Sequence, residues 1–506
     1  MEILMQDYRN DELDYSKLIG NFFLIIADNG KVKFLSDRIG QYGVYCCKKA
    51  GMVSSSFIAL LTAAAKQGKL VIDRNIATET LLTGNVVGSR TIVDGIDRYF
   101  PYLKVNIPGM KPLHSWPTTI EVEDKKNSGF DDLINMQLVE FDDHFKAYDK
   151  VLSRYGTVSG LTGGLDSRLL YLLLKKRTDK ISLFTNTYNP ESLDSKCATQ
   201  FAEAAGEKFK CFLSRKAESM DSTEYKEMIT DGFFFWDGVC RVHHLWLEER
   251  KNRSYLKRVY GNYRMSFSGV AGEKYRNHDG LTSKFYGIDK WIKHELLFYS
   301  TGNIFTSKTA EDVFYEYYKQ KVKDQLGERS TGNRISFNAI RFFYDTVYNT
   351  TNRTQRNNIE NQLIFFLSPF VEPGSLAVPR SSLGRHMEFE LDLIRKLGPG
   401  LKHCNLSYGF NLNEKPGLKV RLLPALKTNA TISAFHSARN LLVKRNGTYF
   451  NRMLKSHPFL QGYRDRVENL KLPIDLKALS LNDSLSPMIL QMGMFLSEME
   501  SCIEIS

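Results

Sequence analysis

Two adjacent glycines between a short apolar segment and a helix constrain this chain more than any other feature. The segment Thr162-Gly163-Gly164-Leu165-Asp166-Ser167 follows residues 156–161, which predict a buried strand, and precedes residues 169–176, which predict a helix. Glycine lets the backbone turn tightly and direct its N–H groups inward. Because the turn runs into a helix N-terminus, it predicts an anion site suited to pyrophosphate.

Three side chains of this segment add to the predicted anion site. Thr162 and Ser167 supply hydroxyl donors, and the carboxylate of Asp166 is a ligand that Mg²⁺ prefers when phosphate oxygens complete its coordination. The GxxxxGK[ST] pattern of the Walker A loop is absent from the sequence. A glycine turn with an N-cap aspartate is the plainer alternative. Six residues in register between a strand and a helix favour the anion site.

The segments around this loop alternate between strand and helix patterns. They are interpreted as a helix over 134–152, a strand over 180–188, a helix over 195–205, and strands over 258–262 and 265–270. Such alternation predicts an α/β fold with a parallel sheet over about residues 155–280. Residues 285–506 are rich in Phe, Tyr, Leu and Lys and predict a mainly helical remainder.

The N-terminal part of the chain predicts a separate, β-rich domain. Residues 21–28 are interpreted as a buried strand, residues 31–37 as a second strand, and residues 44–49 as a third. The charged run near 122–128 predicts a linker. We therefore expect a small domain over 1–120 and a larger one over 129–506.

The glycine loop resembles the SGGxDS signature of the PP-loop ATP pyrophosphatases, with Thr162 in place of the first serine. The resemblance implies a PP-loop fold, of the adenine nucleotide α hydrolase-like type. Members cleave ATP between its α and β phosphates and leave AMP on the substrate. ATP and Mg²⁺ are then the expected cofactors. The implied nucleotide-binding residues in the loop are Thr162, Gly163, Gly164, Asp166 and Ser167.

Further segments are similar to asparagine synthetase-like enzymes. Phe184-Thr185 ends the second strand, which lines the adenine pocket in that family. The segment at 268–273, Ser-Gly-Val-Ala-Gly-Glu, resembles the family's SGxGxDE loop, in which an acidic residue shares the Mg-pyrophosphate. Residues 368–372 resemble its PFLD element. The resemblance implies that Thr185 binds the nucleotide and that Asp166 and Glu273 are catalytic carboxylates that also bind the metal.

The predicted N-terminal domain resembles the family's class II glutaminase domain, of the Ntn type, in truncated form. Residues 18–22, 36–40 and 44–45 resemble its GxFA…RDxxGxxPLYY pattern. The glutaminase nucleophile is a cysteine at position 2, whereas this chain has Glu2. We therefore expect an inactive domain, with nitrogen supplied as free ammonia, as an amine donor or by a separate glutaminase.

Two departures concern the synthetase part itself. Val270 stands where asparagine synthetases carry a glutamate that handles the incoming nitrogen, which argues against plain asparagine synthesis. The family's late catalytic lysine does not align cleanly. Lys402, Lys415 and Lys419 are candidates, although a surface lysine explains each of them more readily.

Taken together, the resemblance implies an AMP-forming carbon–nitrogen ligase that adenylates a carboxylate and transfers it to ammonia or an amine. The loop form Thr-Gly-Gly-Leu-Asp-Ser-Arg and the pair Gly272-Glu273 look most like members from bacterial surface-glycan clusters. That likeness implies a uronic acid or another glycan carboxylate as substrate. The alternatives are an intramolecular cyclase of the β-lactam synthetase or lasso-peptide cyclase type, a non-catalytic pseudo-synthetase and a tRNA-modifying enzyme.

Charge and composition narrow the expected partners. The net charge is +12, from 69 Lys+Arg and 57 Asp+Glu, which favours anionic ligands, but the basic residues are spread along the chain. We therefore expect no nucleic-acid partner. No window approaches ~18 uninterrupted apolar residues, so we expect no membrane span. No basic-then-apolar leader is visible, and the seven cysteines include no CxxC pair, so a cytoplasmic location with reduced thiols is expected. A homodimer is left open.

Overall fold

A computed structural model describes most of the chain. It covers residues 2–101, 107–114, 116, 129–241, 245–275, 285–297, 304–353, 355–371, 387–415, 417, 448–483 and 485–505. The strands in these ranges are β1 (Phe23–Asp28), β2 (Lys31–Ser36), β3 (Tyr45–Cys47), β4 (Met52–Ser54), β5 (Leu70–Val71), β6 (Ile96–Arg98), β7 (Lys111–Pro112), β8 (Thr157–Gly160), β9 (Ile181–Thr187), β10 (Lys208–Leu213), β11 (Met265–Phe267), β12 (Phe285–Gly287), β13 (Ser330–Thr331), β14 (Arg334–Ser336), β15 (Phe365–Leu367) and β16 (Ile503–Glu504).

The α-helices of the same ranges fall before, between and after these strands. They are α1 (Glu2–Arg9), α2 (Phe57–Ala64), α3 (Arg74–Thr83), α4 (Phe130–Lys146), α5 (Asp149–Tyr155), α6 (Asp166–Lys175), α7 (Leu193–Ala204), α8 (Ser222–Phe235), α9 (Arg253–Tyr260), α10 (Ile288–Trp291), α11 (Lys308–Leu326), α12 (Phe337–Phe342), α13 (Gln355–Glu360), α14 (Glu388–Leu397), α15 (Tyr449–Ser456), α16 (Leu460–Glu468), α17 (Leu476–Ser480) and α18 (Ser486–Glu498). Two π-helical segments, Ile292–Leu296 and Phe343–Arg353, follow α10 and α12.

A parallel five-stranded sheet confirms the predicted α/β class. Its strand order is β10-β9-β8-β11-β15, and each neighbouring pair is parallel. The chain enters at the central strand β8, moves outward through β9 to β10, and then returns across β8 to β11. The edge strand β15 comes from the region that was predicted to be mainly helical.

Helices cover both faces of this sheet. The buried leucines of α6 and Phe201 of α7 belong to the apolar core on one face, whereas Ile229 of α8 and Leu256 of α9 belong to the core on the other. The crossover helices therefore change faces when the chain changes direction at β8. This change of direction leaves a crevice at the carboxyl ends of β8 and β11. Open α/β sheets bind ligands at such a topological switch point.

The interpretation of residues 258–262 as a strand is wrong, because this segment lies in and just after α9. The α9 side chains of Tyr255, Leu256, Val259 and Tyr260 are buried, at the four-residue spacing of a helix rather than the alternation of a strand. The side chain of Asn252 caps the helix by accepting a hydrogen bond from the amide of Ser254 at 2.9 Å. Val259 and Tyr260 form an adjacent apolar pair near the end of this short amphipathic helix. The strand prediction took this pair into account but not the helical turn that precedes it.

The N-terminal strands form two small sheets, ordered β1-β2-β7 and β4-β3-β6. The first strand was predicted to be buried, but Ile25 is 56% exposed and Ile26 is the buried residue of β1. Strand β5 pairs in parallel with β16 from the other end of the chain. Apolar residues of β3 and α3 share one core with α18. The predicted linker at 122–128 lies outside the described residues. None of the helices in the described ranges combines the length and hydropathy that a bilayer crossing requires.

The crossing of α16 and α18 tests this packing. A Cβ atom added at Gly493 would overlap the carbonyl oxygen of Tyr463 and would lie 2.7 Å from its Cβ. We expect Gly493→Ala to lower the free energy of unfolding by about 2 kcal/mol, because overpacking outweighs the better helix propensity of alanine. Gly462→Ala is the matched control, since nothing lies within 4 Å of its added methyl. Equal urea midpoints for the two variants would contradict the packing.

Candidate functional site

Three loops meet at the carboxyl edge of the central sheet. Residues 161–166 follow β8, residues 268–272 follow β11, and residues 368–371 follow β15. These three strands are neighbours in the sheet, so the loops leave it side by side. The three segments that resemble the synthetase family are therefore adjacent in space, although they are about 100 residues apart in the chain.

Hydroxyl groups close the glycine loop onto the first turn of α6. The amide of Thr162 donates to the Oγ atom of Ser167 at 3.0 Å, and the two hydroxyl oxygens are also 3.0 Å apart. The amide of Gly164 donates to Oγ1 of Thr162 at 3.1 Å. Thr162 and Ser167, both predicted as ligand-binding residues, thus also hold the shape of the loop.

Two residues that the sequence analysis did not assign to the site also hold this loop. The amide of Gly163 donates to Oδ1 of Asp194 at 2.9 Å, and the amide of Ser407 donates to the carbonyl oxygen of Gly163 at 2.9 Å. A Cβ at Gly163 would lie 2.8 Å from Cβ of Ser407, so glycine is required for this approach. Asp194 lies in the first turn of α7, and its helix pattern does not indicate the contact with the loop. Ser407 lies far along the chain, and no local pattern marks it.

The first turn of α6 is the part of the loop that suits an anion. The helix begins at Asp166, and its N-cap residue, Leu165, has no side-chain acceptor for the first amide groups. The N-terminus of a helix carries a partial positive charge, and amides without a capping side chain are donors for a bound anion. The predicted phosphate-binding position therefore centres on the first turn of α6, next to the Asp166 carboxylate.

The loop after β11 lies directly on this turn. A Cβ at Gly272 would be 2.6 Å from Cβ and 2.9 Å from Cγ of Asp166, and a Cβ at Gly269 would be 2.9 Å from the Asp166 carbonyl oxygen. Both glycines are therefore needed for the contact. Glu273 follows Gly272 in a 3₁₀ turn that spans Gly272–Tyr275. The structure thus brings Asp166 and the Gly272-Glu273 segment, predicted from separate motifs, to the same place.

The third loop joins the second through backbone and side-chain contacts. The amide of Ser268 donates to the carbonyl oxygen of Leu367 at 2.8 Å, and Nζ of the buried Lys274 donates to the carbonyl oxygen of Phe370. Burial, together with the positive charge of Lys274, lowers the pKa of His144 to about 4, so this histidine is neutral. Glu372, the last residue of the PFLD-like element, lies outside the described residues.

Thr185 is a buried residue of β9. It follows Phe184, the residue that pairs with Gly160 at the end of β8. Gly160 is opposite Phe184 in the register, and the amide of Leu161 donates to the carbonyl oxygen of Phe184 at 2.7 Å. Thr185 therefore lies beside the start of the loop. Lys402 is half-buried and Lys415 is exposed, whereas Lys419 lies outside the described residues.

Arg168, which the sequence analysis did not select, is fully buried beneath the loop. Its Nη2 atom donates to the carbonyl oxygens of Cys197 at 3.2 Å and of Asn405 at 2.6 Å, and its Cζ atom lies 4.8 Å from the ring centroid of Phe201. Burial lowers the pKa of Arg168 to about 10, so the guanidinium remains charged at neutral pH. The residue joins α6 to α7 and to the segment around Ser407.

A metal ion at this edge would need phosphate oxygens as well as protein ligands. Within the described residues, no group of three or more His, Cys, Asp or Glu side chains is placed to hold a metal. Mg²⁺ is commonly held by one or two carboxylates together with substrate phosphates and water. The candidate site fits an arrangement of carboxylates with substrate phosphates, because the carboxylate of Asp166 lies at the helix turn where an anion would bind.

Comparisons with known proteins add little to this geometry. No known family profile matches the chain, and no curated protein matches it. Among solved structures, one match is the glutamine-dependent NAD+ synthetase from Acinetobacter baumannii in complex with ADP. It is 13% identical, the match covers 49% of this chain and 50% of that chain, and the TM-score is 0.18. The chain spans about half the length of that synthetase. A TM-score this low does not establish a shared fold.

The contact between Asp194 and the glycine loop gives a direct prediction. We expect Asp194→Ala to accelerate hydrogen exchange at the Gly163 amide by tenfold or more, because a hydrogen bond to a charged acceptor contributes roughly 1.5–3 kcal/mol. Asp179→Ala is the control, since that carboxylate is 92% exposed and pairs with Lys175. Amide exchange followed by mass spectrometry or NMR makes the comparison. Unchanged exchange over residues 162–165 in Asp194→Ala would contradict the contact.

Proposed function

We propose that the protein is an ATP-dependent, AMP-forming carbon–nitrogen ligase of the asparagine synthetase-like type, with a PP-loop fold over its central sheet. The observation that carries the proposal is the contact of Gly269 and Gly272 with Asp166. Two motifs of the resemblance, which are about 100 residues apart in the chain, are in contact at the topological switch point of a parallel sheet. A chance resemblance in two unrelated loops gives no reason for such a contact.

The proposed chemistry uses the first turn of α6 as the pyrophosphate-binding position. A substrate carboxylate oxygen attacks the α-phosphorus of ATP, and the bond to the bridging oxygen breaks as pyrophosphate leaves. The helix amides and the hydroxyls of Thr162 and Ser167 stabilise the charge that develops on the leaving group. Asp166 and Glu273 would hold Mg²⁺, which, when bound, neutralises part of the phosphate charge.

The second step forms the amide. Ammonia or an amine attacks the acyl carbon of the adenylate, a C–N bond forms, and the C–O bond to AMP breaks with loss of a proton from nitrogen. We propose that residues 1–120 are a glutaminase-like domain without its nucleophile, since Glu2 stands where that family has a cysteine. Nitrogen then comes from free ammonia, from an amine or from a separate glutaminase.

For the substrate, we propose a carboxylate of a surface glycan, such as a uronic acid. The support is the resemblance of the Thr162–Arg168 loop and of the Gly272-Glu273 pair to the glycan-cluster members. Val270, in place of the glutamate of asparagine synthetases, is consistent with an acceptor other than aspartate.

The test is ATP–pyrophosphate exchange across a panel of carboxylates that includes uronic acids and aspartate. We expect exchange that depends on one carboxylate class and falls at least about a hundredfold in Asp166→Asn, because charge neutralisation at the leaving group is lost. Gly272→Ala is expected to reduce exchange at least about tenfold, since its methyl displaces the Asp166 carboxylate. Gly400→Ala, whose methyl meets nothing within 4 Å, is the matched control and keeps wild-type exchange.

Two results would argue against this function. Exchange that survives in both Asp166→Asn and Gly272→Ala would remove the proposed site from the chemistry. No exchange with any acid, together with undetectable Mg·ATP binding by calorimetry, would favour the non-catalytic alternative.

A further inference from the structure

A short hairpin over residues 404–412 lies against the glycine loop. Asn405 and Asn411 face each other across an antiparallel bridge, which joins the two arms of the hairpin. The turn between them contains Gly409, whose φ of +87° is in the left-handed region that glycine adopts at little cost. Tyr408 directly precedes this glycine and is therefore at the tip of the hairpin.

Three helices hold the hairpin in place through its backbone. The carbonyl oxygen of Asn405 accepts from Nη2 of Arg168 in α6 at 2.6 Å, and its amide donates to Oε1 of Gln200 in α7 at 3.0 Å. On the other arm, the carbonyl oxygen of Leu412 accepts from Nε of Arg395 in α14 at 2.6 Å. Since α6 and α7 also hold the glycine loop, the hairpin and the loop are fixed to the same elements.

The tip of the hairpin packs directly on the loop. The amide of Ser407 donates to the carbonyl oxygen of Gly163 at 2.9 Å. A Cβ added at Gly164 would lie 3.7 Å from the hydroxyl oxygen of Tyr408 and 3.3 Å from Oγ1 of Thr162. The hydroxyls of Tyr408 and Thr162 therefore both lie on the side of Gly164 where another residue would carry its side chain.

Hydroxyl groups thus line this side of the loop. Oγ of Ser167 is 3.0 Å from Oγ1 of Thr162, so the hydroxyls of Thr162, Ser167 and Tyr408 come together beside the first turn of α6. A hydroxyl can donate one hydrogen bond and accept another, so it can keep a protein partner and still bind a ligand oxygen. The Tyr408 ring stacks on Phe410 with centroids 6.3 Å apart, and Tyr408 is 36% exposed. Its side chain is therefore oriented by a neighbour and accessible to a ligand.

We propose that the Tyr408 hydroxyl donates a hydrogen bond to a non-bridging oxygen of the pyrophosphate group of ATP. The inference rests on the function proposed above, because it takes the first turn of α6 as the pyrophosphate position. Tyr408 is then a further binding residue of that site, supplied by a segment far from the glycine loop in the chain. Because the hairpin is already held by three helices, little conformational entropy is lost when the phosphate binds.

The test measures the binding of Mg·pyrophosphate to the full chain by calorimetry. We expect Tyr408→Phe to weaken this binding about tenfold, because a hydrogen bond to a charged group is lost. The phenyl ring keeps the stacking on Phe410, so hydrogen exchange over residues 162–165 is expected to stay at the wild-type rate. Tyr155→Phe is the matched control and keeps wild-type affinity, since Tyr155 is 44% exposed and precedes β8, at the opposite edge of the sheet.

Two outcomes would overturn the role of Tyr408 alone. One is wild-type affinity for Mg·pyrophosphate in Tyr408→Phe; if Asp166→Asn weakens binding in the same assay, the nucleotide site stands without Tyr408. The other is faster exchange over residues 162–165 in Tyr408→Phe, since the hydroxyl would then act by holding the loop. No binding of Mg·pyrophosphate or Mg·ATP to the wild type would overturn both this inference and the function proposed above.

Discussion

The close approach of the β11 loop to the first turn of α6 is the contact on which the candidate site depends. The backbone of α6 at Asp166 and Ser167 leaves no room for a Cβ at Gly269, and the Asp166 side chain leaves none at Gly272. Lateral contacts in the sheet set this distance, because Oγ1 of Thr157 and Oγ of Ser159 in β8 donate to carbonyl oxygens of β11. The sheet therefore positions Asp166 and Glu273 relative to each other, and a change in the pairing of β8 with β11 would separate the two motifs.

The N-terminal sheets belong to this structural arrangement and are not a loosely attached unit. Asn357 of α13 donates to Oε1 of Gln41 at 3.2 Å and accepts from Oγ of Ser368 at 3.0 Å, and all three side chains are buried. Ser368 directly follows β15, so a buried polar chain runs from the N-terminal region to the carboxyl edge of the central sheet. Because an unpaired buried amide costs roughly 1–3 kcal/mol, these contacts stabilise the attachment of the N-terminal region to the central sheet.

Sequence patterns predicted the parts of the site that are local in the chain. The loop at 162–167 lies between β8 and α6 as expected, because glycine, hydroxyl and carboxylate residues at short spacing specify a strand–turn–helix unit. Ser407 and the contact of Asp194 with the loop could not be predicted in this way, since both depend on packing between distant segments. The edge strand β15 was missed for a similar reason. Three residues in a strand provide too short a pattern, and the pairing with β11 decides their structure.

The buried guanidinium of Arg168 has an electrostatic consequence for this edge of the sheet. Its hydrogen-bond acceptors are the carbonyl oxygens of Cys197 and Asn405, and among the described residues no carboxylate lies within ion-pair distance of it. Carbonyl groups orient a cation but do not cancel its formal charge, and a low-dielectric environment screens that charge less than water does. Its positive charge therefore adds to the partial positive charge at the N-terminus of α6. Because the pKa of Arg168 stays near 10, the charge persists across the physiological range. The carboxylates of Asp194 and Asp166 lie at the same edge of the sheet, and the guanidinium offsets part of their negative charge beneath the glycine loop.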